Sequence, residues 1–213
     1  MFFWGDLKSP QPKANTTTTL SVTLPNRSNL RHQLRQQRRQ LSRSVQRHAA
    51  QQLLIKVGRS QPFRRAKKIA FYWPNDGEIS PLPLLHLAQK LGKQCFLPVV
   101  SSHTQGMTFR QYRRGDRLQT NQFGIPEPSH QAASVLVHNL DLVLLPLVAF
   151  DRQGNRLGMG GGFYDRAFAG LRMRLPIRLG LAHELQKVPQ LDFASWDLPL
   201  HRVCTEKHFY YCS

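Results

Sequence analysis

Apolar residues recur at two different spacings along this chain. From Arg27 onward, Leu30, Leu34, Leu41, Val45 and Leu53 keep one face of a helix apolar, and Asn26 or Ser28 stands where a cap is needed. After a turn at 58–62 the pattern changes. KKIAFYW at 67–73 reads as a short buried strand ending in the turn sequence PNDGE. Leu82, Leu84, Leu85, Leu87 and Leu91 return to helical spacing over 81–92, with Gly92 as the C-cap. QCFLPVV at 94–100 is the next strand, and MTFRQY at 107–112 reads as another at an edge. GIPEPSHQ reads as an irregular Pro-rich loop. A Val/Leu segment at 135–137 and a strand over 141–150 follow it. Beyond a glycine run come a helix at about 163–174, the strand IRLGLAH at 177–183 and a last VCTEK segment.

Strands alternating with helices at this spacing predict an α/β fold: a single three-layer, Rossmann-like domain with a mainly parallel sheet flanked by helices. The sugar-phosphate isomerase and CoA-transferase superfold has a similar layout. Ligands of such folds collect beyond the carboxyl ends of the strands. Residues 73–78, 150–165 and 183–184 are therefore expected to line one crevice. Residues 1–25 are rich in Pro, Thr, Asn and Gln and lack periodicity, so they are expected to form a flexible N-terminal extension. The single domain is expected over 26–213, a length that can bury a proper core.

Charge sharpens the picture. Thirty Lys and Arg against 12 Asp and Glu give a net +18, which favours anionic partners such as nucleotides, nucleic acid or acidic cofactors. No acid occurs between Arg27 and Lys68, and Arg31, Arg35, Arg38 and Arg39 give the first helix a cationic face whose plain reading is solvation. The three cysteines (Cys95, Cys204, Cys212) lack metal-finger or CxxC spacing and read as reduced thiols. No apolar run approaches the ~20 residues of a membrane span, and the start lacks the apolar core of a signal peptide. A cytoplasmic location without membrane attachment is the expectation.

The densest chemical clue is RLGMGGGFYDR at 156–166, with glycines at 158, 160, 161 and 162. Glycines between a strand and a helix let backbone N–H groups approach an anion closely, and the helix N-terminus adds partial positive charge. Phosphate fits such a loop. It is neither a Walker loop, since no GK[ST] follows, nor GxGxxG, since Phe163 breaks the pattern. Asp165 either caps the helix or holds a Mg²⁺ bridging nucleotide phosphates. Glu78 is either turn chemistry or a carboxylate accepting hydrogen bonds from a polar heterocycle. Phe123, ahead of the stiff GIPEP, is either packing or a stacking wall. There is no HExxH or GxSxG, and Cys95 sits mid-strand, so no covalent nucleophile stands out. Chemistry here would come from positioning and phosphate electrostatics.

Five segments taken together resemble the 5-formyltetrahydrofolate cyclo-ligase (methenyltetrahydrofolate synthetase) family: LRHQLRQQRRQLS, FYWPNDGEIS, FGIPEP, LPLVAFDRQGNRLGMGGGFYDR and VPQLDFASWDLPLHRVCTE. Their order and spacing agree over roughly residues 26–206. The resemblance implies ATP- and Mg²⁺-dependent closure of 5-formyltetrahydrofolate to 5,10-methenyltetrahydrofolate, with ADP and phosphate released. The formyl oxygen would take the γ-phosphoryl group and N10 would then displace phosphate. It implies nucleotide contacts at Arg27, Arg31, Arg156, Leu157, Gly158, Met159, Gly160, Gly161, Gly162, Phe163 and Tyr164. It implies folate contacts at Trp73, Glu78, Phe123 and Met159 to Phe163, Mg²⁺ at Asp165 and Asp197, and catalytic work at Arg156, Tyr164 and Asp165. The resemblance also allows a polyglutamate tail on the substrate, and the expected enzyme is a monomer with no obligate nucleic acid. The chain departs from the family pattern in having Arg27 where Lys is frequent, Phe163 for Tyr, Gly161 where a basic residue sometimes lies and His201 where an acid is frequent. Two competing readings are a nucleic-acid binder using the basic helix and a sugar-phosphate isomerase or CoA-transferase-like enzyme. The first leaves the glycine loop without purpose, and the second leaves the five-segment match unexplained.

Overall fold

A computed structural model describes residues 26–101, 106–170, 176–194 and 196–212. The expected extension at 1–25 lies outside them, as do residues 171–174 of the expected helix. The predicted first helix is in fact two, α1 (Arg27–Arg39) and α2 (Arg43–Arg59). Asn26 caps the first by accepting from Ser28 N–H, and Ser42 caps the second by accepting from Val45 N–H. That second cap redirects the chain, so Val45 falls off the apolar stripe and stands exposed. Short α3 (Gln61–Arg65) follows, then α4 (Leu82–Lys90), while the described part of the last helix is α5 (Phe163–Phe168).

Twelve strands build three sheets among the described residues. In chain order they are β1 (Lys68–Ala70), β2 (Gln94–Val100), β3 (Met107–Gln111), β4 (Leu118–Thr120), β5 (Pro126–Pro128), β6 (Ser134–Val135), β7 (Leu142–Pro146), β8 (Ala149–Phe150), β9 (Arg156–Leu157), β10 (Ile177–Leu181), β11 (Arg202–Cys204) and β12 (Phe209–Tyr211). The main sheet has the order β12-β11-β10-β7-β1-β2-β3-β6. Neighbours from β11 through β2 pair in parallel, whereas β12 and β3 pair antiparallel with β11 and β2. The mainly parallel α/β domain is as expected.

The core follows from alternation along the strands. Leu142, Leu144, Leu179 and Leu181 point to the face covered by α2, α3 and α4, with Leu53, Val57, Phe63, Leu84 and Leu85. Val143 and Leu145 point to the other face, with Phe96, Phe109 and Phe168 of α5. Buried on both sides, β7 therefore reads as a continuous apolar run. A third cluster seats α1 through Leu30 and Leu34 against Val148, Ala149 and Leu157.

Two expectations are corrected here. The strand over 141–150 ends at Pro146 and resumes as β8, which pairs with β9 to form a separate hairpin. The segment read as irregular, GIPEPSHQ, contains β5, paired antiparallel with β4. Prolines are tolerated there because a two-stranded ribbon leaves one side of each strand free of pairing.

At the carboxyl end of β1 the chain turns sharply through Asn75–Glu78, with Asp76 at φ 53° and Gly77 at φ 75°. Gly77 is required twice over. Its φ is left-handed, and a Cβ would lie 3.0 Å from the Arg38 carbonyl oxygen of α1. Gly77→Ala is expected to destabilise the fold by about 2 kcal/mol, read as a lower urea midpoint at unchanged slope.

Candidate functional site

A cavity of about 1250 Å³ opens where the carboxyl ends of β1, β2 and β7 meet. Tyr72, Trp73, Val100, Pro146 and Leu147 line it from the sheet. The glycine loop, the N-terminal half of α1 and residues 196–199 form further walls. Of the three strand ends expected at the crevice, only the first two contribute. His183 is buried, and Glu184 is taken up in accepting from the Thr205 hydroxyl at 2.5 Å.

Sequence-predicted residues converge on this cavity. Arg27, Arg31, Trp73, Glu78, Phe123, Arg156, Gly158, Met159, Gly160, Gly161, Gly162, Phe163, Tyr164, Asp165 and Asp197 all line it. Leu157 does not. Strand alternation in β9 turns its side chain into the cluster under α1 while Arg156 faces the cavity.

Anion chemistry is concentrated on one side. Arg27 forks onto Asp197, with Nη1 to Oδ2 at 3.0 Å and Nη2 to Oδ1 at 3.3 Å. Arg156 Nη2 donates to Asp165 Oδ1 at 2.5 Å, and the same oxygen accepts from Leu198 N–H at 3.0 Å. Arg31 Nε donates to the Gly158 carbonyl at 2.9 Å, tying α1 to the glycine loop. The Nε atoms of Arg27 and Arg156 are buried without a hydrogen-bond partner among the described residues. Orphaned guanidinium donors beside a glycine loop suit phosphate oxygens.

The two aspartates suit a magnesium ion. Leu198 N–H links Asp165 directly to the segment that carries Asp197, so both carboxylates serve one wall. Among the described residues no group of three or more His, Cys, Asp or Glu makes a self-contained metal cage. Mg²⁺ does not need one, since one or two carboxylates with water and phosphate oxygens complete its shell. His201 accepts from Arg178 N–H at 3.0 Å and does not line the cavity.

The opposite side is apolar with one carboxylate, Glu78, whose side chain is 11% exposed. Burial pushes the Glu78 carboxyl up to about 7, against the pull of the Arg38 guanidinium 3.8 Å away. Its neighbour Asp76 goes the other way. Burial there is outweighed by hydrogen bonds from Arg35, Arg39 and Arg38, which bring it down to about 2. Burial also raises the Tyr164 phenol, with Glu78 adding to the effect, so its hydroxyl stays protonated as a donor. Phe123 sits half-exposed on the β4–β5 turn, where Asn121 Oδ1 accepts from the N–H groups of Phe123 and Ile125. Its ring meets Phe163 edge-on, centroids 5.8 Å apart. Burial pushes the Cys95 thiol up to about 12, in keeping with an inert core residue.

Sequence reasoning missed two residues. Trp196, 76% exposed, lines the cavity beside Asp197. Arg38, read as part of a solvated face, is completely buried. Its signal was position: it follows Leu34 by four residues and so continues the apolar stripe of α1.

The geometry has counterparts. The family model described as the 5-formyltetrahydrofolate cyclo-ligase family matches residues 23–206. A 5-formyltetrahydrofolate cyclo-ligase of Haemophilus influenzae is 39% identical over 75% of this chain and 87% of its own length. One from Escherichia coli K12 is 36% identical over 78% of this chain and 92% of its own. The solved structure of Aquifex aeolicus 5,10-methenyltetrahydrofolate synthetase superposes with a TM-score of 0.77 at 29% identity, covering 87% of this chain and 92% of that one. By sequence and by fold, therefore, this chain belongs to the 5-formyltetrahydrofolate cyclo-ligase family.

Proposed function

We propose that this protein closes 5-formyltetrahydrofolate to 5,10-methenyltetrahydrofolate at the expense of ATP, with Mg²⁺ at Asp165 and Asp197. One observation carries the reading: a glycine loop flanked by arginines and the largely buried Glu78 carboxylate wall the same cavity. At about 1250 Å³ it exceeds the usual ~300–1000 Å³ of a single-ligand pocket, so two reagents fit together. The covalent event is supplied by MgATP, whose γ-phosphoryl group turns the formyl oxygen into a leaving group for N10.

The chain's part is binding and alignment. Arg27, Arg31 and Arg156 neutralise phosphate charge, and the N–H groups of Gly158, Gly160, Gly161 and Gly162 approach it without Cβ obstruction. Glu78 accepts hydrogen bonds from the pterin edge, Trp73 packs nearby, and Phe123 stacks against the ring. Tyr164, a protonated donor in the first turn of α5, steadies the reacting oxygen. Met159 to Phe163 would touch both the nucleotide and the folate and so set the in-line approach.

Purified protein given 5-formyltetrahydrofolate and MgATP is expected to build up methenyl-folate absorbance with one ADP per turnover. No product at saturating ATP and Mg²⁺ refutes the proposal. Phe123→Ala is expected to raise the folate KM about tenfold and change kcat less than about threefold, since a lost stacking wall removes binding rather than chemistry. Steady-state kinetics checks the split.

A further inference from the structure

Arg38 is the largest fully buried side chain among the described residues, and it is a charged one. A buried guanidinium is costly to desolvate unless its donors are met, and an apolar residue would fill the same space more cheaply. Its partners are informative. Nε donates to the Asp76 carbonyl at 2.7 Å and Nη2 to Asp76 Oδ2 at 2.8 Å. Nη1 donates to the Leu147 carbonyl at 3.2 Å, at the end of β7. Nη2 also reaches Met159 Sδ of the glycine loop at 3.7 Å and lies 3.8 Å from Glu78 Oε1. Every one of these groups belongs to a wall of the cavity or to the turn that carries Glu78. Arg38 itself belongs to α1, the helix whose first turns bring Arg27 and Arg31 to the other side.

Resting on the functional reading above, we propose that Arg38 is a positioning residue that couples the two halves of the site. It holds Glu78 for the pterin and ties that turn to the helix and loop that grip the nucleotide. Order imposed on α1 and the glycine loop by nucleotide is then passed to the Glu78 turn, so nucleotide and folate bind with positive cooperativity. By linkage the coupling acts equally in both directions.

The charges around Glu78 provide a readout that loose packing cannot imitate. Arg38 and Arg35 favour its ionised form, Asp76 disfavours it, the Asn75 N–H donates to it at 3.1 Å, and the phenols of Tyr72 and Tyr164 face it uncharged. Folate affinity without nucleotide should therefore rise with pH through a midpoint near 7. Arg38→Met is expected to move that midpoint up by about one unit. Asp76→Asn is expected to move it down, and Asn tolerates the left-handed backbone at that position. General loosening would weaken binding in both variants without displacing the midpoints in opposite directions.

Arg38→Lys keeps the charge but loses the fork, and tests the coupling even if Arg38→Met does not fold. Calorimetry of 5-formyltetrahydrofolate with and without MgADP should give a ratio of affinities of about fivefold or more in the wild type, and under about twofold in Arg38→Lys. A wild-type-like ratio in Arg38→Lys, or midpoints that move together in Arg38→Met and Asp76→Asn, overturns the inference. Wild-type protein that binds neither compound overturns the functional reading, and the inference with it. Wild-type protein that binds both without mutual effect overturns the inference alone.

Discussion

Asp165→Ala is expected to lower kcat by about 10³-fold while folate affinity stays within about threefold. Two losses coincide at this position. The proposed magnesium ligand disappears, so charge on the transferring phosphoryl group goes unneutralised. Arg156, its side chain only 4% exposed, also loses the carboxylate that aims it. Breaking such a pair costs stability as well, about 3 kcal/mol, because a buried cation is left without its counter-charge. That cost leaves a domain of ordinary stability mostly folded. The rate loss, about 4 kcal/mol in activation free energy, is therefore separable from unfolding. Single-turnover kinetics with Mg²⁺ titration decides the matter. Asp165→Asn should retain an acceptor for the Leu198 N–H and for Arg156, recover part of the lost stability and still lack turnover. Activity within about tenfold of wild type in both variants would remove Asp165 from the chemistry.

How much of this could be read from the sequence depends on whether the deciding contact was local. The glycine loop, the PNDGE turn and the run that became β7 announce themselves because their constraints lie within a few residues: left-handed backbone, a turn donor, burial on both faces. The split of the first helix was less visible. Ser42 is one polar residue among many in a basic stretch, and only its cap to Val45 makes it a break. The burial of Arg38 is hidden for a related reason. Its sequence neighbours Arg35 and Arg39 are partly exposed, and nothing local shows that Asp76, 38 residues on, will fold back over it. The motif that implies a nucleotide contact at Leu157 does not show that the two-residue period of β9 sends its side chain to the core. The third crevice wall was misplaced because β10 looks like its neighbours in sequence, yet the 3₁₀ turn Glu184–Gln186 packs beneath the β8–β9 hairpin. Residues 196–199 take that place instead.

Glu78→Gln is expected to weaken folate binding by about 30-fold at pH 8 and to stabilise the protein at the same pH. The two effects share one cause. Burial raises the Glu78 carboxyl from 4.5 to about 7, and the folded chain therefore holds a proton that the unfolded chain releases between those values. Stability contributed by the protonated form is fully present below about 4.5 and is lost as pH rises through about 7. Ionisation in the folded state then costs of order 3 kcal/mol, a cost a neutral amide does not incur. Denaturant melts should show wild type and variant nearly equal at pH 4.5, diverging toward pH 8 with the variant ahead. Binding runs the opposite way, since only the carboxylate presents two acceptor oxygens to paired pterin donors, and charge-assisted bonds are the stronger kind. Loss of about 2 kcal/mol of affinity corresponds to the 30-fold figure. With kcat at saturating folate unchanged within about threefold, Glu78 is a recognition group whose buried charge is tolerated for what it binds. A variant no more stable than wild type at pH 8, or one with wild-type affinity, would show that the carboxylate is ordinary turn chemistry.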